Sequence, residues 1–295
     1  MLNLLCIGEA MAELRRDQSG GFAVGFAGDT YNTAVYAQRA SGTEGAVGFM
    51  SRIGLDPLSA GLRRAAEAEN LDTRALSSDP VRNIGVYSVA TDEAGERSFH
   101  YWRDQSAARS LFQDPADLSL IPPARVLYLS GISMAILSPQ ARDRLIEHLA
   151  GLKSECKIAY DSNYRPKLWE DKTSARAITE RMWDLADLAF PSLDDEMALS
   201  DETSEDAVIR RFERGNFSRC TIKRAHRGPL SLTLEGPPPR FAAARKVIDT
   251  TAAGDSFNGG YLAAYLAGHG EASCLSAGHE LAAHVVGQPG AIAPR

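Results

Sequence analysis

A chain of 295 residues with 44% apolar and 24% charged side chains has an ordinary globular composition and can bury a large core in one main domain. Its net charge of −6 excludes the basic excess on which nucleic-acid binders depend. No apolar run approaches the ~18 residues that span a bilayer, and the opening MLNLLCIGEAMAELRR lacks a basic leader segment. A cytoplasmic protein that engages neither membrane nor nucleic acid is expected. Cys6, Cys156, Cys220 and Cys274 are scattered, with neither a disulfide framework nor a zinc pattern.

In chain order, LNLLCIG reads as the first strand. TYNTAVYAQRA is helix-like, EGAVGFMSRIG extended and PLSAGLRRAAEAENL helix-like again. ARVLYLSGI, SPQARDRLIEHLAGL, CKIAYDSN, LADLAFPS, EDAVIRRFERG, CTIKRA and LSLTLEG continue the rhythm, and 256–267 reads as a buried helix. Such alternation predicts βαβ units and a mostly parallel sheet covered by helices on both faces. Two stretches, 15–28 and 83–103, have no helix between their extended runs, and TDEAGE reads as a hairpin turn between VYSVA and SFHYW. They predict a small separate sheet of antiparallel strands, a lid from about 11–29 and 83–104 on a single domain of 1–295. Ligands of open α/β sheets gather at the carboxyl ends of the strands, so chemistry is expected there and on the lid.

The segment IDTTAAGDSFNGGYLAAYLAG, 248–268, sets Ala252, Ala253 and Gly254 before a helix, with the carboxylate of Asp255 beside them. A helix N-terminus offers unpaired N–H groups and the positive end of a dipole, and small side chains let a phosphate approach them. A carboxylate there repels an anion unless it has a task, such as taking the proton from a hydroxyl that attacks a phosphoryl group. A plain helix cap leaves the small residues, and Gly259 and Gly260 within the helix, unexplained. On the second lid strand Tyr101 and Arg103 alternate and face one side, a ring for a carbon chain and a guanidinium for a carboxylate. Tyr87 in the partner strand adds a hydroxyl. Asp161, Asn163 and Arg165 follow the strand CKIAY, at the end where ligands gather. In HELAAH the two histidines, His279 and His284, are five apart and share no helix face, which excludes a zinc-protease site.

DTTAAGDSFNGG is similar to the D-T-x-G-A-G-D signature of the ribokinase-like (PfkB) carbohydrate kinases. AGDTYNTA, 27–34, is similar to that family's G-G-x-x-x-N-x-A, with Ala27 and Ala252 each standing where the pattern has glycine. No G-x-x-x-x-G-K-[ST] occurs, so a P-loop enzyme is excluded. The resemblance implies a three-layer α/β/α domain with a mostly parallel sheet and a small β-sheet lid, ATP and Mg²⁺ as cofactors, Asp255 as catalytic base, and the backbone of Ala252, Ala253 and Gly254 as an anion hole. YDSNYR matches the family's D-x-N-x-R, which implies that Arg165 contacts substrate or nucleotide and that Asn163 positions phosphate. KRAHRG matches K-x-G-x-x-G, which implies that Lys223 and Gly228 lie along the nucleotide, with Ala225 at the first glycine. His279 stands where the family often has Asn near the adenine. Asp195 or Glu196 corresponds to the acid that orients metal-bound water.

Within the family, DTTAAGD and YWRDQSAAR resemble the branch that phosphorylates 2-keto-3-deoxygluconate. That implies ATP-dependent phosphorylation of an acidic keto-deoxy sugar, with Gly28, Asp29 and Asn32 on its hydroxyls and Tyr87, Tyr101, Arg103 and Arg165 at its carboxylate and keto end. Similar proteins pair through their lids, so a homo-oligomer is an expectation too. Two alternatives stay open: a fructokinase-like or nucleoside kinase of the family, and a non-catalytic sugar-binding regulator.

Overall fold

The computed structural model describes residues 1–16, 20–42, 46–91 and 97–295. The chain enters through β1 (Leu2–Ile7), forms the hairpin β2 (Met11–Arg16) and β3 (Phe22–Ala27), and turns into α1 (Asp29–Ser41). β4 (Val47–Ile53), α2 (Pro57–Ala68) and β5 (Leu76–Ser78) precede a second hairpin, β6 (Gly85–Thr91) and β7 (Arg97–Trp102). Then come β8 (Ala124–Ser130), α3 (Gly131–Ala135), α4 (Pro139–Leu152), β9 (Lys157–Asp161), α5 (Lys172–Leu185) and β10 (Leu188–Phe190). The last part holds α6 (Leu193–Ser200), α7 (Glu205–Phe212), β11 (Arg219–Ile222), β12 (Leu230–Ser231), α8 (Ala253–Leu266) and α9 (Glu271–Val285). Asp56, Ser138 and Asp171 cap α2, α4 and α5 with their side chains, and Pro57 and Pro139 open two of those helices.

The larger sheet runs in the order β12-β11-β10-β9-β8-β1-β4-β5. Its pairs are parallel except β11 with β12. Strand order reverses at β1, which has β4 on one side and β8 on the other. Open parallel sheets form a ligand crevice beyond the strand ends at such a switch point. Side chains of the central strands alternate between two cores. Leu5, Ile7, Leu127 and Leu129 enter one, and Leu4, Cys6, Val126 and Tyr128 the other. The sheet is therefore buried on both faces, as parallel sheets are.

The smaller sheet runs β3-β2-β6-β7. Its hairpins are antiparallel as expected, but they join through a parallel pair, β2 with β6. The sequence expectation of antiparallel strands alone is corrected here. β2 and β6 follow β1 and β5, parallel strands of the larger sheet, so both leave it in the same direction. Residues 92–96, most of the turn expected at TDEAGE, lie outside the described residues. No described helix is long and apolar enough to cross a membrane.

One close approach fixes the geometry of the site. α1 lies against α8 at Gly259, where an added Cβ would fall 2.8 Å from Tyr36 Cβ, 2.9 Å from the Ala37 nitrogen and 3.0 Å from the Thr33 oxygen. Two of those three neighbours are backbone atoms, which cannot swing aside. Gly259→Ala is expected to cost about 3 kcal/mol in urea unfolding. An unchanged midpoint would show that the helices have room to separate.

Candidate active site

α8 begins at Ala253, three residues before the helix expected from the sequence, because Ala252 takes the left-handed conformation (φ 62) and turns the chain into it. Ala253, Gly254 and Asp255 therefore form the first turn. The N–H of Ala253 is spent on the Thr250 carbonyl. Ala253 thus drops out of the expected anion hole; among the described residues the N–H groups of Ala252, Gly254 and Asp255 meet no acceptor, so they are the donors that an anion would find.

Asp255 is partly buried, and its Oδ2 accepts a 2.8 Å hydrogen bond from Asn32 Nδ2 on α1. Burial pushes its carboxyl up to about 7, with the charges of Asp29 and Asp161 adding to the rise and Asn32 and Lys223 opposing it. Asp29, at the start of α1, is buried and accepts hydrogen bonds from Ser130 Oγ and, at 2.7 Å, from Asn163 Nδ2. Burial also raises the Asp29 carboxyl, against the pull of those donors. Gly28 precedes it because a Cβ there would stand 2.1 Å from the Glu9 carbonyl oxygen.

Asp161 ends β9 and ion-pairs Lys223 Nζ, and it also accepts a 2.6 Å hydrogen bond from Asn258 Nδ2 of α8. Lys223 lies over the first turn of α8, its Nζ 3.4 Å from where a Cβ on Gly254 would sit. Asn163 is held at φ 27 with its N–H on Asp161 Oδ1 at 3.1 Å. Four segments distant in sequence thus bring Asp29, Asn32, Asn163, Lys223, Gly254 and Asp255 together.

The smaller sheet faces this cluster. Met11, Ala27 and Tyr87 pack with Ala291, and Ala252 packs against them. Tyr87 is buried and donates a 2.6 Å hydrogen bond to Glu13, and burial together with the Glu13 charge drives its hydroxyl far up. Tyr101 pairs directly with Tyr87, their rings 5.7 Å apart, and remains half exposed. Arg103 lies on the same side, 5.8 Å from the Tyr101 ring. Its guanidinium is buried and engaged: Nε, at 2.9 Å, and Nη2 both donate to Glu9 Oε2. Nη1 makes no hydrogen bond among the described residues.

Arg165 is exposed, with Nη1 on the Tyr164 carbonyl at 2.8 Å and on Asp195 at 3.4 Å. Asp195 borders the cluster. Burial raises its carboxyl, and the charges of Arg165, Asp161 and Lys223 all reach it. Glu196 is wholly buried and committed to Arg211 of α7 at 2.9 Å. Among the described residues no three His, Cys, Asp or Glu side chains could hold a metal by themselves. A divalent ion here would rest on phosphate oxygens and water, a usual arrangement for Mg²⁺. Asp195 suits that setting better than Glu196.

His279 sits apart from these groups. Its Nε2 bonds the Ala242 carbonyl at 2.7 Å, and its ring lies 4.9 Å from Phe241. Both border a cavity of about 610 Å³ with Lys246 and Gln288. Gly228 abuts Phe241, so the loop that starts at Lys223 runs from the first turn of α8 toward this cavity.

The sequence reading did not name Glu9, although it follows the first strand, where the strand-end rule points. Ser130, Asn258 and Tyr128, whose hydroxyl lies 3.5 Å from Asp161 Oδ2 and accepts from Asn258 Nδ2 at 2.9 Å, were missed too, since nothing local marks a serine, an asparagine or a tyrosine as the partner of a distant carboxylate.

The model of the pfkB family carbohydrate kinases matches residues 1–295. The chain is 37% identical over 298 residues to the 2-dehydro-3-deoxygluconokinase of Escherichia coli strain K12, covering 98% of this chain and 96% of that protein. It is 36% identical over 302 residues to the 2-dehydro-3-deoxygluconokinase of Dickeya dadantii strain 3937, covering 99% and 97%. The fructokinase of Vibrio cholerae O395, in its fructose-, ADP- and calcium-bound form, superposes with a TM-score of 0.84 at 25% identity over 99% of this chain and 94% of that one. The α/β domain with its small second sheet is thus the ribokinase-like fold.

The Glu9–Arg103 pair carries a stability prediction. Glu9→Ala leaves a buried guanidinium without its counter-charge and is expected to cost about 3–5 kcal/mol in denaturant unfolding. A loss under about 1 kcal/mol would mean that water reaches the pair.

Proposed function

This chain belongs to the pfkB family of carbohydrate kinases, and we propose that it transfers the terminal phosphoryl group of ATP to the 6-hydroxyl of 2-keto-3-deoxygluconate. The observation that carries the reading is Asp255, a carboxylate raised by burial and set in the first turn of a helix whose next free donors are the N–H groups of Gly254 and Asp255. Near full-length relatives named 2-dehydro-3-deoxygluconokinase, another name for a kinase of the same sugar acid, support the choice of substrate.

The sugar lies between the strand ends and the smaller sheet, which serves as lid. Gly28 and Asp29 face its hydroxyls, and Tyr87 and Tyr101 back its carbon chain. Arg103 presents to its carboxylate the edge that Glu9 leaves free, and Arg165 closes the same end. Asp255 takes the proton of the 6-hydroxyl as that oxygen bonds to the γ-phosphorus. The bond from phosphorus to the bridging oxygen breaks, and ADP leaves with the electron pair. Lys223 and the N–H groups at 252, 254 and 255 stabilise charge on the transferring group, where a single preorganised donor contributes about 3 kcal/mol. Asn163 holds Asp29 in place beside the phosphate path, His279 borders the nucleotide cavity, and Gly228 lies against its Phe241. Asp195 would help hold Mg²⁺ through water, and the ion would supply positive charge to the ATP phosphates. A reaction that uses ATP suits the cytoplasm. Two copies pair through the outer face of the lid, where Phe22, Val24 and Trp102 stand exposed on one side.

ADP release measured with 2-keto-3-deoxygluconate, its galactonate epimer, fructose and adenosine tests the reading. Turnover is expected on keto-deoxy acids, falling about 10³-fold or more in Asp255→Asn. Arg103→Ala is expected to weaken kcat/KM for the acid by about 10- to 100-fold. Turnover on fructose that ignores Arg103→Ala would replace the substrate, and no turnover alongside sugar binding would make the chain a binder.

Only the carboxylate form of Asp255 accepts a proton, so kcat/KM is expected to fall as pH drops through about 7. A limb near the ordinary carboxylate value of ~4 would contradict the burial of Asp255. Light scattering is expected to give a dimer that Trp102→Lys converts to monomer, and a wild-type monomer would refute the pairing.

A further inference from the structure

Asn32 bonds the base itself. It is buried on α1, and both of its polar atoms are engaged. Oδ1 accepts the Gly28 N–H at 3.3 Å, and Nδ2 donates to Asp255 Oδ2 at 2.8 Å. The next residue grips the same target from the main chain. The Thr33 hydroxyl lies between the carbonyls of Asp29, at 3.0 Å, and Asp255, at 3.2 Å. Contact at Gly259 keeps α1 close enough for both. Among the described residues Asp255 Oδ1 carries no hydrogen bond.

We propose that Asn32 is a positioning residue: it holds Asp255 by Oδ2, fixes the carboxylate plane, and leaves Oδ1 as the single acceptor for the substrate proton. The proposal rests on the reading of Asp255 as the base and adds how that base is aimed. A carboxylate free to rotate would share its acceptor strength between two oxygens, one turned from the substrate. Held at Oδ2, it meets the incoming hydroxyl in one geometry, and precise placement of reacting groups is a large part of catalysis.

The hydrogen bond also has an electrostatic sign. A donor to the charged form favours that form, so removing it raises the carboxyl further. Other groups act on Asp255: Asp29 from α1, Asp161 from β9, Lys223 after β11, and the hydroxyls of Tyr36 and Tyr128. None of them changes when Asn32 is replaced, so a displaced titration reports the amide.

The test uses Asn32→Leu, nearly isosteric and without hydrogen bonds, and Asn32→Ser, which is too short to reach Asp255, both checked for folding by thermal melting. Carbon-13 NMR follows the Asp255 carboxyl in ligand-free protein, its signal assigned by its loss in Asp255→Asn. Kinetics give kcat and KM for 2-keto-3-deoxygluconate at saturating MgATP. The midpoint is expected to rise by about one unit in both variants, and the acid limb of kcat/KM to follow it. The value of kcat should drop at least about tenfold while the sugar KM stays within about threefold. An unmoved midpoint, with KM raised about tenfold and kcat kept, would overturn the proposal and make Asn32 a substrate contact. Turnover retained in Asp255→Asn would overturn the base and the proposal with it. That outcome is recognisable because the Asn32 variants would still displace the titration.

Discussion

Three carboxylates, Asp29, Asp161 and Asp255, act on one another at the carboxyl edge of a parallel sheet, with one ammonium, Lys223, on Asp161 and reaching Asp255. Such a cluster is stable only if each negative charge has donors of its own. Ser130 and Asn163 serve Asp29, and Lys223 and Asn258 serve Asp161. The Asp255 carboxylate receives Asn32 alone among the described side chains. With a single such donor, and pushed up to about 7 by burial, it is suited to take a proton near neutral pH. The division of donors thus favours Asp255 for the role proposed for it.

The fold enforces that division through contacts between backbones more than through side-chain size. Strand order reverses at β1, beside β8 and β9, and α1, which follows the β2–β3 hairpin, delivers Asp29 and Asn32. The lid is tied to the same point. Glu9 follows β1 and Arg103 follows β7, so their buried ion pair locks the root of the lid while fixing the guanidinium. Sharing Arg103 in this way leaves one edge of its planar fork for a ligand carboxylate, which a lysine in its place would not offer.

Much of this was legible in the residues. Alternating apolar and helical runs gave the parallel sheet, and the interrupted rhythm at 83–103 gave the second sheet. The small residues before Asp255 marked the helix end. Partnerships were not legible, because they join residues far apart: Asp161 with Lys223, Glu9 with Arg103, Asn32 with Asp255. Nor could the alanines at glycine positions be judged from sequence. Ala225 (φ 49) and Ala252 (φ 62) both take left-handed backbone, so the loop keeps the shape a glycine would give it, at a cost of about 1–2 kcal/mol each. Asp195 and Glu196 are adjacent and chemically alike, and only the helix they share turns one toward the cluster and the other into the core.

The most direct measurement is a crystal structure with 2-keto-3-deoxygluconate and a non-hydrolysable ATP analogue. The account predicts the sugar's 6-oxygen about 3 Å from Asp255 Oδ1, and its carboxylate on the Nη edge of Arg103 with Glu9 still on the other edge. A sugar bound with its carboxylate elsewhere, or with no hydroxyl within hydrogen-bonding reach of Asp255, would contradict it.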